Sequence, residues 1–282
     1  AISSNASLLL QATELNNAQA GKVIADGALQ LLVARLLNNA KGVLSAGAGL
    51  SVQGRSLDNS GAGQVLGGTG LSLALSGDLH NQGQGTILSQ GGLTLRAAQA
   101  VNSGQGRIAS KGALTATLTG LDQHGGGRLL SETALTLDLA GGRLNNSRQG
   151  LLATSGSLLL NNVVAIDNSQ GGEISSDRAF SLVTGELNNS AGKLLSGEAL
   201  ELRITRTLLN NLGGVLSSAR QLTLSAGSLD NSGAGRMGSG GAMSLTVAGE
   251  LNNRQMGSIT SDSRLTVKAA SLNNAQGGKV SS

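Results

Sequence analysis

Four aspartates recur at one position of a repeated motif and are the first residues that could do chemistry. Each follows an aliphatic residue and precedes Asn or Gln: Asp58, Asp122, Asp167 and Asp230. A pair of carboxylates can act as general acid and base on a polysaccharide, but the two groups must converge on one bond. These aspartates alternate with Asn at their position, and no two occupy successive motif copies. We therefore interpret them as turn-forming side chains that bond to nearby backbone.

The two histidines could act as general bases or metal ligands. His80 and His124 lie two motif copies apart and at different motif positions, so we expect two surface residues and not a converging pair. The chain has no cysteine, which excludes disulfides and thiolate metal sites. Its serines have no fixed His and Asp partners. The sequence therefore predicts no catalytic, cofactor-binding or metal-binding residue, and no cofactor.

A row of hydroxyl side chains is the set that could form an extended binding surface. Ser or Thr fills the position between two inward aliphatic residues in nine of twelve copies: Ser51, Ser72, Thr94, Thr115, Thr136, Ser181, Thr223, Ser244 and Thr266. Such a row could bind glycans or ice. Hydroxyl residues also suit any solvated strand face. We favour the interpretation that the row is an ordinary solvated strand face, because a single column of side chains is a narrow binding surface.

A repeat of 20 to 23 residues positions all of these side chains. Its Leu-Asn-Asn motif is aligned to begin at thirteen residues: Leu15, Leu37, Leu57, Leu79, Ala100, Leu121, Leu144, Ile166, Leu187, Leu209, Leu229, Leu251 and Leu272. A Gly follows each motif. Apolar residues come two, eight and ten positions after that Gly, and a small residue comes four after it. This period of two indicates short strands.

Such short strands cannot bury a face alone, but stacked coils pair each strand in parallel with its equivalent one coil away. The sequence thus predicts an all-β parallel β-helix of about 13 coils. We expect the motif Asn to take the left-handed corner conformation and to form an amide ladder along the axis. We expect the Gly to supply positive φ at the next bend, and the small residue to sit where the walls converge.

The composition fits a narrow aliphatic core. Phe180 is the only aromatic residue, and there is no proline. The 20 basic and 16 acidic residues are scattered without runs, which argues against a nucleic-acid surface. No stretch of 18 apolar residues occurs, so no membrane span is predicted.

The pattern "LNN…G.I.S…L.L" resembles the haemagglutinin repeats of filamentous haemagglutinin and related exoproteins, which include contact-dependent growth-inhibition toxins of Gram-negative bacteria. The resemblance covers the whole chain. It implies a right-handed β-helical filament, exported by two-partner secretion through an outer-membrane transporter and displayed at the cell surface. In that family the repeats build a long shaft, while adhesive, receptor-binding or toxic segments are often elsewhere.

We therefore expect residues 1–282 to be one β-helical array and an internal section of a longer filament, because both ends fall within a repeat. The expected function is that of a structural, non-enzymatic shaft. The alternative is an adhesin segment that binds glycans through a sheet face, and a polysaccharide-degrading enzyme is least favoured. The expected partners are the secretion transporter and, through other parts of the parent protein, a host or neighbouring-cell surface. Isolated sections are expected to stack end to end.

Overall fold

The computed structural model describes residues 1–282 as 34 short β strands joined by turns, with no helix. By its contacts the chain divides into two units, Ala1–Ala140 and Gly141–Ser282. Strands are numbered in chain order. In each unit they form two parallel sheets, named A and B, and each coil contributes strands to both.

Sheet A of unit 1 consists of β1 (Ile2–Ser4), β3 (Lys22–Ala25), β5 (Val43–Ala46), β8 (Gln64–Gly67), β11 (Thr86–Ser89), β14 (Arg107–Ser110) and β17 (Arg128–Ser131). Sheet B of unit 1 consists of β2 (Leu8–Asn16), β4 (Leu29–Leu37), β6 (Gly49–Gly54), β7 (Ser56–Asp58), β9 (Gly70–Leu75), β10 (Leu79–His80), β12 (Gly92–Arg96), β13 (Gln99–Val101), β15 (Leu114–Thr117), β16 (Gly120–Asp122) and β18 (Ala134–Asp138).

Sheet A of unit 2 consists of β20 (Leu151–Thr154), β23 (Glu173–Ser176), β26 (Lys193–Ser196), β28 (Val215–Ser218), β30 (Arg236–Ser239), β32 (Ser258–Ser261) and β34 (Lys279–Ser281). Sheet B of unit 2 consists of β19 (Arg143–Asn145), β21 (Ser157–Asn161), β22 (Ala165–Asp167), β24 (Phe180–Thr184), β25 (Glu186–Asn188), β27 (Leu200–Leu209), β29 (Leu222–Asp230), β31 (Met243–Asn252) and β33 (Leu265–Asn273).

Equivalent strands of successive coils pair in parallel and in register. In sheet A, Val65 is the partner of Ile87, and Ile87 is the partner of Ile108. Each motif position therefore becomes a column of side chains spaced about 4.8 Å apart along the stack. The prediction of an all-β solenoid of about 13 stacked coils is confirmed.

The interior is a narrow packing of aliphatic side chains. The apolar columns are almost fully buried, with Val23, Leu44 and Ile87 at 0% exposure. The small residue four after the Gly is also buried, as predicted. Ser89, for example, is 0% exposed, and its hydroxyl donates to the Gly92 carbonyl at 2.8 Å. The column holds only Ala, Gly, Ser or Thr in the inner coils, at the point where the chain turns from sheet A to sheet B.

Two motif copies were aligned one residue too late. Leu36, and not Leu37, is the strand partner of Leu15. Likewise Leu208, and not Leu209, is the partner of Leu187. Both copies read Leu-Leu-Asn-Asn, which fits the motif in two registers. Burial decides between them, because the first Leu of each pair is fully buried while the second is only half-buried.

Candidate functional site: an asparagine ladder and the outward faces

A ladder of asparagines, all buried except the terminal Asn274, runs along each unit. Every ladder bond joins the side-chain Nδ2 of one Asn to the Oδ1 of the next Asn along the stack, over 2.6–2.7 Å. The members are Asn17, Asn38, Asn59, Asn81 and Asn102 in unit 1, and Asn146, Asn168, Asn189, Asn210, Asn231, Asn253 and Asn274 in unit 2. The predicted ladder is confirmed. Because an amide both donates and accepts, each one satisfies its neighbour inside the wall.

The second amide hydrogen of a ladder Asn goes to backbone. Asn38 Nδ2 donates to the Gln64 carbonyl at 2.8 Å, and Asn189 Nδ2 donates to the Val215 carbonyl at 3.0 Å. Each of these two amides thereby ties its own corner to the start of a sheet A strand in the following coil. The ladder is thus a connection between coils as well as a way to satisfy buried polar groups.

The prediction that the motif Asn adopts the left-handed conformation is wrong. Positive φ falls two and three residues later, as at Gln19 (53°) and Ala20 (61°). No ladder Asn has positive φ. The physical reason is that the amide must point inward to reach the next coil, so the chain reverses only after it.

The prediction that the motif Gly supplies positive φ is also wrong. Gly21 is not in the left-handed region. A Cβ added there would lie 2.6 Å from both the carbonyl oxygen and the Oδ1 of Asn17. The Gly is therefore required because the ladder corner approaches its backbone closely.

The four aspartates form turns, as predicted. Asp167 Oδ1 accepts the backbone N–H of Ser169 at 3.1 Å, and Asp230 Oδ1 accepts that of Ser232 at 3.1 Å. Asp58 is bonded both within its turn and to the preceding coil. It accepts Ser60 Oγ at 2.6 Å and Asn39 Nδ2 at 2.6 Å.

Asp58 also has a perturbed acidity. Partial burial acts to raise its pKa, but hydrogen bonds from Ser60 and Asn39 and the proximity of His80 outweigh burial, so that its pKa lies below the ordinary value. A carboxylate held ionised by hydrogen bonds to its own turn is a structural group and a poor proton donor.

The histidines remain separate. His124 Nδ1 lies 2.7 Å from Asp122 Oδ1 within one turn, with both side chains about two-fifths exposed. His80 sits in a strand between Asp58 and Val101 of the neighbouring coils. No group of three or more His, Asp or Glu side chains is placed to hold a metal ion.

A charged groove in unit 1 was missed by the sequence reasoning. It has a volume of about 670 Å³ and crosses four coils. Its ionisable lining residues are Glu14, Arg35, Arg55, Asp58, Asp78 and His80. Arg35 is paired with Glu14 at 3.0 Å. Glu14, Arg35 and Asp78 share the position before the motif Leu, and Asp58 and His80 share the position after it, so two neighbouring repeat columns supply most of the charged lining.

The hydroxyl row has its longest unbroken run in unit 1. There Ser51, Ser72, Thr94, Thr115 and Thr136 are successive strand partners. In unit 2, exposed Leu159 and Glu201 stand at the same position, and Glu201 interrupts the hydroxyls by pairing with Ser181 and Thr223.

A second outward feature escaped the sequence reasoning. The residue directly after the motif Gly points out of sheet A, and in unit 1 it is Lys22, Arg107 or Arg128 in three coils, all exposed. Lys41 lies in the turn before β5. We call these four cations the basic strip. The cations are scattered along the chain, but three of them occupy the same position of the aligned repeat, and this shared position is the sequence signal that could have revealed the strip.

Half-buried aliphatic side chains lie two residues after the basic column. Ile24, Leu66, Leu88 and Leu130 all point outward from sheet A of unit 1, and we call them the aliphatic row. No carboxylate faces outward from these strands.

Comparison with known proteins gives one result. The family model described as "Haemagglutinin repeat" matches residues 1–83, 84–207, 199–255 and 244–282. No individual curated protein and no solved structure was found to match. The structure contains no helix long and apolar enough to span a membrane. The matched segments together cover the full length, so the chain belongs to the haemagglutinin-repeat family.

Proposed function

We propose that this chain is a section of the structural shaft of a large secreted bacterial surface filament, which holds an adhesive, receptor-binding or toxin module away from the cell. The proposal rests on the repetition of one coil structure within each unit. Buried aliphatic columns repeat through the inner coils of each unit, ladder bonds run from Asn17 to Asn102 and from Asn146 to Asn274, and the turns are all short. Such an array transmits force along its axis and offers no separate module.

Export by an outer-membrane two-partner secretion transporter fits the same proposal. The chain has no cysteine to oxidise and no proline to isomerise, and each coil needs only the preceding coil as a template. Residues 1–282 then act as one array that folds coil by coil on the outside.

A second candidate is an adhesin segment that binds glycans directly. The five hydroxyls in register from Ser51 to Thr136 favour it. A catalytic role has less support, because the aspartates are engaged in their own turns.

The decisive experiment uses the purified chain on a glycan array and in a polysaccharide-turnover assay, followed by single-molecule pulling along the axis. The shaft proposal predicts no glycan binding, no turnover and stepwise resistance to force. Glycan binding that is lost in the variant Ser72→Ala/Thr94→Ala/Thr115→Ala would replace the shaft with the adhesin. Turnover of a polysaccharide would replace it with an enzyme.

A further inference from the structure

The basic strip of unit 1 has no partner within the protein. The ion pairs of the structure involve Arg35, His124, Arg178 and Arg206, and none involves Lys22, Lys41, Arg107 or Arg128. Arg107 and Arg128 are direct strand partners. Their side chains leave backbones about 4.8 Å apart, and like charges directly opposite each other on neighbouring strands are destabilising. The fold gains nothing from this arrangement. An anionic partner outside the protein would relieve it.

Most acidic residues of unit 1 are bonded within the protein; the exceptions are Asp26 and Glu132, which are exposed directly after β3 and β17 and have no ion pair. Asp58 and Asp122 accept hydrogen bonds within their own turns, Asp78 accepts the Gln99 backbone N–H at 3.2 Å, and Glu14 is paired with Arg35. The structure therefore accounts for these carboxylates internally, while the cations of sheet A remain available.

The aliphatic row distinguishes the class of anionic partner. Leu66 and Leu88 are strand partners, and Leu130 lies two residues beyond Arg128 on the same strand face. A soluble polyanion would contact the cations and gain nothing from outward leucines. A lipid surface offers both phosphates for the cations and acyl chains for the leucines.

We propose that the outward face of sheet A in unit 1 docks peripherally on a lipid surface rich in anionic headgroups. The basic strip meets the phosphates, and the aliphatic row enters the headgroup–acyl boundary. The face is a row of short strands in register, so every coil presents its groups at the same height. The contact is one of the surface only and needs no spanning element.

Unit 2 provides an internal control. Its sheet A also carries outward cations, at Lys193, Arg236 and Lys279. Glu173 is the strand partner of Lys193, and the second outward column is mostly small or hydroxyl-bearing, with Ser175, Ser217 and Thr260. If charge and aliphatic contact are both required, this face binds lipid weakly.

The test is co-sedimentation of the whole chain with vesicles of phosphatidylcholine, with and without phosphatidylglycerol. We expect binding only to the anionic vesicles, and loss of binding in 1 M salt, where the Debye length is about 3 Å. A cation at an anionic surface contributes about five-fold in affinity, so Arg107→Gln/Arg128→Gln should weaken binding about 25-fold. The matched variant Lys193→Gln/Arg236→Gln should leave it nearly unchanged. A single Arg128→Gln variant serves if the double variant does not fold.

The aliphatic row is tested with Leu66→Thr/Leu88→Thr, because Thr keeps the strand preference on an outward face. This variant should bind vesicles more weakly and leave any binding of soluble polyphosphate unchanged. Absence of binding to anionic vesicles overturns the proposal. So does polyphosphate binding as tight as vesicle binding together with no effect of the leucine variant, which would identify a soluble polyanion as the partner.

Discussion

Replacing Asn189 by Ala isolates the contribution of one ladder amide. Asn189 is fully buried and accepts Asn168 Nδ2 at 2.7 Å. It donates to Asn210 Oδ1 at 2.7 Å and to the Val215 carbonyl at 3.0 Å. The variant removes all three bonds at one position of unit 2 and leaves the apolar columns intact.

The size of the effect follows from what each partner retains. Asn168 Nδ2 keeps its bond to the Lys193 carbonyl at 2.9 Å, so its loss is partial. Asn210 Oδ1 loses its side-chain donor inside the wall. One buried acceptor left without a donor, together with two lost hydrogen bonds, should lower the free energy of local opening by about 2–3 kcal/mol, which is a 30- to 150-fold rise in the opening constant.

Native-state hydrogen exchange is the appropriate assay, because a stacked array can open one coil at a time. Amides of β25 and the second half of β27 should exchange faster in Asn189→Ala. Ser181→Ala, which truncates an outward hydroxyl of the same unit, should change exchange very little. Asn189→Gln should be milder than Asn189→Ala, since the same column already accommodates buried Gln123. Equal exchange in Asn189→Ala and Ser181→Ala would refute the argument that the ladder stabilises the stack.

Two further predictions concern the glycine column and Asp58. Gly63→Ala should lower the melting temperature, because its Cβ would fall within 3 Å of Asn59 oxygens. Gly49→Ala, whose Cβ would have no atom within 4 Å, should raise the melting temperature slightly by restricting the unfolded chain. A loss of equal size in both variants would show that close approach is not the reason for Gly63. The lowered pKa of Asp58 gives stability that is present above its unfolded value of 3.8 and is lost as pH falls through the folded value. Asp58→Asn should therefore flatten the plot of melting temperature against pH below about pH 4. A plot as steep as that of the unmodified chain would contradict this prediction.

The fold could be predicted from the sequence because each inward column repeats the same physical requirement. An aliphatic residue at Val23, Leu44 or Ile87 must fill the same narrow space, and the Asn of every coil must find an amide above or below it. Thirteen copies of one requirement make the period visible. The ladder was predictable for the same reason.

The local reasons for the residue types were harder to infer. Asn and Gly both suggest left-handed backbone, and that interpretation failed for both columns. Positive φ fell on residues of no fixed type, such as Ala20, Lys41 and Leu212, because a tight turn imposes it once the ladder amide is fixed inward. The requirement for Gly21 comes from atoms of Asn17, and this contact exists only after the coil has closed.

The outward faces were the least predictable, since solvent imposes no repeated requirement there. The basic strip and the charged groove draw residues from coils that are tens of residues apart, as with Glu14 and His80. A search for charge runs along the chain cannot find them. The corrected register of Leu36 and Leu208 matters here as well, because one residue of slip exchanges the inward and outward faces of a strand.

The inward columns and the outward columns have different physical roles in this chain. The inward columns and the ladder determine whether a coil stacks on the next, so they tolerate little change. The outward columns contribute little to stacking and can differ between coils. Unit 1 carries five hydroxyls in register on sheet B and leucines beside arginines on sheet A, while unit 2 interrupts the first row with Glu201 and replaces most of the second with serine and threonine. The chemistry that an outward face presents therefore depends on which coils share an outward column, and residues there can be changed without disturbing the amide ladder that joins the coils.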